Sequence, residues 1–339
     1  MKKVYQLIIV FVIATACAQV RHLNMTRHNY FETAGQIIWI QVPGLDEEQL
    51  ALLRFTFSDL SVKTSFEEAS CMGHTWAFNA LALRPTVRVS LQTQITGVKN
   101  IKGTCGDYKI QPFWNNLGKT RAAVGIIENE APEKDSLDEM LDCQDVDRSY
   151  VDLMTVWAMK KTKREEASFF HYQGNLDLKP GFYFDKSCQQ GSCASNLIDN
   201  TKFVFQGFVK SKFGKVFIVR DFSVSNALKQ KKILVARERL LELDKIHRYF
   251  LEYQQKNPNV LLLVTGSNPM PVELPKEGKD WAEFDRTGKN IFYRSTGLLS
   301  PLFASGAGAE NFCGILEDSE IISRIDGPPK FYKLKLNLF

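Results

Sequence analysis

Arg294-Ser295-Thr296-Gly297-Leu298-Leu299-Ser300-Pro301-Leu302-Phe303-Ala304 runs directly into Ser305-Gly306-Ala307-Gly308-Ala309-Glu310-Asn311-Phe312-Cys313-Gly314. A Thr-Gly step, an apolar strand and a glycine-spaced turn follow one another here, and similar strand endings recur upstream. Gln36 to Val42 (Gln-Ile-Ile-Trp-Ile-Gln-Val) is an almost continuous β-rich apolar run, the pattern of a strand buried on both faces. Pro43-Gly44 breaks it. Asp46 then opens a helix whose first turn carries Glu47 and Glu48, where carboxylates favour the helix dipole.

The unit repeats along the chain. Ala122 to Ile127 reads as a strand, Asn196 to Lys212 as a helix, and Lys215 to Val219 as the strand that it feeds. Ser225 to Gln255 contains a long helix, with Ile233, Ala236, Leu240, Leu243, Ile246 and Phe250 at three- and four-residue spacing. Pro258 ends it, Val260 to Val264 is a further apolar strand, and Ser319 to Ile325 a last short helix. The acidic stretch Glu128 to Glu139 reads as a solvated loop or insertion. Strands alternating with helices predict an α/β fold with a mostly parallel, doubly wound sheet covered on both faces. In such sheets ligands sit beyond the carboxyl ends of the strands.

The strand ends, in their order, resemble those of the alkaline phosphatase superfamily, and the run from Ser295 to Gly314 resembles its last metal-binding segment. The resemblance extends thinly from Ile37 to Ile322. It implies a three-layer alkaline phosphatase-like sandwich over 35–339, after a signal peptide (1–17) and an N-terminal arm (18–34). It also implies a two-metal site, which needs carboxylates and histidines for the cations and a Ser or Thr oxygen as nucleophile.

Position by position, the residues depart from that requirement. Pro43 stands where the first strand should offer Asp. In Arg84-Pro85-Thr86-Val87-Arg88-Val89-Ser90, which resembles the nucleophile helix, Val87 takes the nucleophile position and Thr86 lies one residue away. Asp221 fits a ligand, while Ser225 replaces the histidine four residues on. Ser267 and Asn268 replace Asp-His, and Ser295 replaces the last histidine. Of six ligand positions only Asp221 remains, and the set Pro43, Thr86, Val87, Asp221, Ser225, Ser267, Asn268 and Ser295 is expected to form a vestigial cleft. His74 is expected to pack beside Trp76 or to make one hydrogen bond. No Gly-x-Ser-x-Gly elbow supports a Ser-His-Asp hydrolase.

The first residues read as an export signal: Lys2 and Lys3, a short apolar run from Leu7 to Ala14, then small residues. Cleavage before Cys17 would leave a lipid-anchored cysteine, and cleavage before Gln19 a chain without that anchor. Both fit, and both predict a periplasmic or outer-membrane location. The net charge of +5 includes Lys2 and Lys3 and is too dispersed for nucleic acid. Six cysteines follow Cys17, an even number that suggests disulfides in an exported chain. The expected bridges are Cys188–Cys193 and Cys71–Cys105.

Three functions follow as expectations. One is an exported, catalytically inactive alkaline phosphatase-like protein with a binding or envelope-associated role and no cofactor. A second is a phosphate or sulfate ester hydrolase with a relocated site drawn from Thr86, Asp221, His74 and Asp46, which would need zinc. The third is an envelope protein that offers Ser225, Ser267, Asn268 and Ser295 to a neutral, hydroxyl-rich ligand.

Overall fold

The structure, a computed structural model, describes residues 28–29, 34–57, 61–117, 122–144, 146–147, 150, 152–159, 168–169, 181–184, 196–210, 214–294 and 297–326. Residues 1–17, read above as an export signal and ending in Cys17, lie outside them, as do Cys188, Cys193 and Ser295. Among the described residues, no helix is long and apolar enough to cross a membrane.

In chain order the strands are β1 (His28–Asn29), β2 (Gln36–Pro43), β3 (Cys71–Trp76), β4 (Ala123–Asn129), β5 (Met154–Ala158), β6 (Ser168–Phe169) and β7 (Gly181–Phe184), followed by β8 (Gly214–Asp221), β9 (Val260–Ser267), β10 (Val272–Glu273), β11 (Phe292–Tyr293), β12 (Leu299–Ala307) and β13 (Gly314–Glu317). The helices are α1 (Glu47–Thr56), α2 (Val87–Thr96), α3 (Leu197–Phe208), α4 (Ser223–Lys229), α5 (Ile233–Lys256), α6 (Gly278–Thr287) and α7 (Ile321–Asp326).

Among the described residues, an 11-stranded sheet runs β13-β3-β12-β9-β2-β8-β4-β5-β7-β6, with β1 on β12. From β9 through β6 each pairing is parallel, and β12 is antiparallel to both β9 and β3. The sheet separates two apolar layers, and β2 supplies both. Ile38, Ile40 and Val42 enter the layer under α1, α3 and α5, while Ile37 and Trp39 enter the opposite one with Ile95, Trp114 and Ile321. That alternation explains the unbroken apolar run, because each face of the strand meets its own core.

The periodic residues of α5, Ile233 to Phe250, are all buried as their spacing predicts. The stretch before them is a separate short helix, α4. Lys231, at φ 56°, turns the chain between the two.

Two expectations are corrected. Glu128 to Glu139 is not a solvated loop: Glu128 is 1% exposed and stands next to last in β4, beside Arg220 of β8, to which it is ion-paired at 2.6 Å. Its other oxygen accepts from Ser136 Oγ at 2.8 Å, so two 3₁₀ turns fold back onto the sheet end. The disulfides are Cys71–Cys313 and Cys105–Cys143, not Cys71–Cys105. Cys71 starts β3, whose parallel neighbour β13 begins beside Cys313. Gly73 makes the approach possible, since a Cβ there would stand 2.4 Å from Gly314 O.

Candidate functional site

The elements that end at one edge of the sheet converge as the topology requires. Pro43 of β2 and Ser267 of β9 are register partners, and the next amide, Gly44 N, donates to Ser267 O at 2.7 Å. Gly44 takes φ 86°, and a Cβ at this position would meet Ser225 Cβ at 2.8 Å, so the turn packs directly on α4. Asn268, also left-handed at φ 47°, donates through Nδ2 to Pro85 O, which joins the end of β9 to the loop before α2. Thr86 caps α2 by accepting from Val89 N at 3.3 Å, placing Thr86 and Val87 beside Asn268.

A buried polar chain holds α2 in this position. Trp39 Nε1 donates to Thr265 Oγ1 at 2.8 Å, and Thr265 Oγ1 donates to Gln94 Oε1 at 3.0 Å. Gln94 Nε2 then donates to Gly266 O at 3.0 Å and to Asp318 Oδ1 at 3.1 Å, while Ser90 Oγ donates to Asp318 Oδ2. Burial pushes Asp318 up to about 7 despite these donors.

Between these elements lies a cleft of about 330 Å³. Of the residues expected to form it, Thr86, Val87, Ser225 and Asn268 line it. Pro43 and Ser267 stand one residue behind lining positions, since Gly44 and Asn268 face the cleft. Asp221 is not in the lining. It is 1% exposed, and its Oδ1 accepts from Ser223 N at 3.0 Å and from Asn129 Nδ2 at 2.8 Å. Burial raises its pKa against the pull of those bonds.

The cleft is also more cationic than its predicted members. Arg84, Lys134 and Lys229 line it, and the acid in the lining, Asp135, is 5% exposed. Lys229 was open to sequence reasoning, because it follows Ser225 by four residues and shares its helix face. Lys134 carried no such signal: its turn is set by Arg220, remote in sequence. Arg88 is not part of the cleft, since its guanidinium pairs with Glu139 at 2.7 Å and lies over Tyr108.

The other candidates have ordinary partners. Asp46 caps α1 through Glu48 N at 3.2 Å, and burial and the Glu48 side chain push it up to about 7. The His74 ring of β3 pairs with the Glu47 carboxylate of α1. Of Thr86, Asp221, His74 and Asp46, only Thr86 lines the cleft.

No protein-family model matches the chain, and no curated protein matches its sequence. Solved structures do match its fold. The alkaline phosphatase from the Antarctic bacterium TAB5 superposes with a TM-score of 0.63 at 15% identity, over 87% of this chain and 98% of that one. This is an alkaline phosphatase-like fold. The cold-active alkaline phosphatase of a Shewanella species gives 0.64 at 11% identity over 86% and 98%, and the Thermus thermophilus enzyme 0.60 at 12% over 79% and 67%.

In this fold the described residues at the strand ends do not fit zinc. Ser267 Oγ and Asn268 Oδ1 are buried atoms without a hydrogen-bond partner among the described residues, and both belong to neutral side chains. Ser225 Oγ donates to Phe222 O at 3.1 Å. Zinc takes three or four thiolate, imidazole or carboxylate ligands, and no group of three such side chains gathers among the described residues.

Proposed function

We propose that the chain is an exported alkaline phosphatase-like protein that binds through its cleft and does not hydrolyse esters. The observation that carries this reading is the use made of Asp221. The one carboxylate at an expected ligand position is buried and bonded to Asn129 and Ser223, away from the cleft lining. Two cations and an activated oxygen supply most of the transition-state stabilisation in two-metal ester hydrolysis, and each tenfold in rate is about 1.4 kcal/mol. Side chains that cannot assemble the cations forgo several such factors.

What the cleft retains is suited to holding a ligand. Three exposed cations surround it, and the N-terminus of α2 opens into it beside Thr86. These groups favour an anionic occupant over a neutral one, because the hydroxyls of Ser225 and Ser267 are turned to other uses or buried. Export rests on the sequence of the first 17 residues, and the bridges Cys71–Cys313 and Cys105–Cys143 are consistent with it.

Metal analysis of the purified protein, combined with phosphomonoesterase, phosphodiesterase and sulfatase assays, tests the reading. The expected result is substoichiometric zinc and no turnover. Stoichiometric zinc with hydrolysis abolished by Thr86→Val would establish the hydrolase instead, since Thr86 is the hydroxyl of its proposed site that lines the cleft.

A further inference from the structure

Among the described residues, 11 large hydrophobic side chains are exposed, and seven of them belong to one continuous side of the molecule. Leu83 (79% exposed) and Leu298 line the cleft. Leu298 O accepts from Ala77 N, and the adjoining residues Trp76 and Leu299 are register partners on β3 and β12. Met72 lies on the same face of β3 as Trp76, and Ile315 of β13 is in register with His74 between them. Leu81 stands two residues before Leu83. Exposed apolar residues scattered singly need no explanation, but a contiguous strip does.

The tip of this strip is held rigidly. Asn79 is 3% exposed, donates through Nδ2 to Ile101 O at 2.9 Å, and accepts through Oδ1 from Leu81 N at 2.8 Å. Ala80 N donates to Lys99 O at 2.7 Å. Leu81 and Leu83 are therefore displayed in solvent by a built turn, which leaves little backbone entropy to lose on docking. Arg84, Lys134 and Lys229 stand beside them, exposed. The acids along the strip are already engaged, Glu47 by His74 and Glu317 by Lys99.

We propose that this side of the protein docks on an anionic bilayer, with Leu81 and Leu83 entering the acyl boundary and Arg84, Lys134 and Lys229 facing lipid headgroups. Charge decides the occupant. A two-fold contact with a second copy would bring the three cations toward their own duplicates, with Asp135 buried and the strip's acids taken. A negatively charged leaflet meets both features at once, the apolar tip and the cations behind it. This inference does not depend on whether the cleft hydrolyses an ester.

Sedimentation of the full chain with vesicles of phosphatidylcholine alone, or with one third phosphatidylglycerol, provides the test. The protein should bind the anionic vesicles selectively and release at high salt, with each neutralised cation (Arg84→Gln, Lys229→Gln) weakening binding about fivefold. The pair Leu81→Ser with Leu83→Ser should weaken it roughly tenfold or more while melting like the parent, because both side chains are exposed. Equal binding of parent and variants to both vesicle types would overturn the proposal and assign attachment to the N-terminal segment. Absence of binding would overturn it too, as would a parent that self-associates through the leucines without binding vesicles.

Discussion

Asn129 Nδ2 donates to Asp221 Oδ1 at 2.8 Å, across the parallel register that sets the last residue of β4 beside the last residue of β8. Ser223 N reaches the same oxygen at 3.0 Å, so one carboxylate joins two strands and the start of α4. The position that the resemblance assigns to a cation is thus occupied by hydrogen bonds that complete the fold.

A consequence is that Asp221 should matter to stability and not to metal. Asp221→Ala leaves the buried Asn129 amide and the Ser223 N–H without their acceptor and should cost about 2 kcal/mol in chemical denaturation. Asp221→Asn keeps an acceptor oxygen and should recover most of that loss. Zinc content should be the same in all three proteins. A parent that carries zinc and an alanine variant that loses it would contradict this account.

The disulfides should differ in what they hold. Cys71–Cys313 closes a separation of 242 residues and ties the start of the edge strand β13 to its neighbour β3, whereas Cys105–Cys143 closes 38. Chain entropy alone makes the first worth about 5 kcal/mol and the second about 4 kcal/mol. Cys71→Ser with Cys313→Ser should therefore lower the melting temperature more than the paired serine substitution of the shorter bridge. Peptide mapping without reductant should recover both pairs, and a Cys71–Cys105 peptide would refute the assignment.

Stability should fall as pH rises from about 4 to 7, the reverse of common acid denaturation. Asp318 is buried and its folded pKa, about 7, lies above the ordinary value of 3.8. Between those values the native state binds more protons than the unfolded one, so unfolding becomes easier with rising pH. The full effect of one such group is on the order of 4 kcal/mol. Burial raises Asp221 and Glu128 in the same direction. Asp318→Asn, which keeps an acceptor for Gln94, should flatten the slope measured by denaturation at pH 5 and pH 8. An unchanged slope would assign the dependence to other carboxylates.

The sequence made the sheet legible because β2 and β9 are apolar on both faces and α5 is periodic from Ile233 to Phe250, about five turns. Asp46 was readable as the start of a helix from its place after Pro43-Gly44 and before Glu47 and Glu48, whereas Thr86, weighed as a nucleophile, caps α2 instead. What escaped was set by partners remote in sequence. Glu128 looks solvated until Arg220, 92 residues on, is placed beside it by the register of β4 and β8. Cys71 finds Cys313 only through the pairing of β3 with β13. The break between α4 and α5 falls at Lys231, a residue whose type does not announce a left-handed turn. Lys134 reached the cleft on the turn that Glu128 anchors, so missing the anchor meant missing the cation.

Ligands restored to the strand ends should bring back zinc affinity without bringing back catalysis. Ser267 and Asn268 are the places to begin, since Ser267 Oγ and Asn268 Oδ1 are buried and have no partner among the described residues, and Asn268 lines the cleft. Ser267→Asp and Asn268→His, with Ser295→His from outside the described residues, would add a carboxylate and two imidazoles. Three such ligands raise zinc affinity if they converge, because binding depends on ligand count and geometry. Ser225→His is a poorer choice, as Ser225 is 1% exposed and packed against the Gly44 turn. Val87 still offers no oxygen to attack an ester, and the Thr86 hydroxyl is engaged by Val89 N. Zinc titration of the triple variant against the parent, then an ester hydrolysis assay, separates the two expectations. A folded variant that binds zinc no better than the parent would show that these positions do not converge, and hydrolysis returning together with the metal would identify Thr86 as a competent nucleophile.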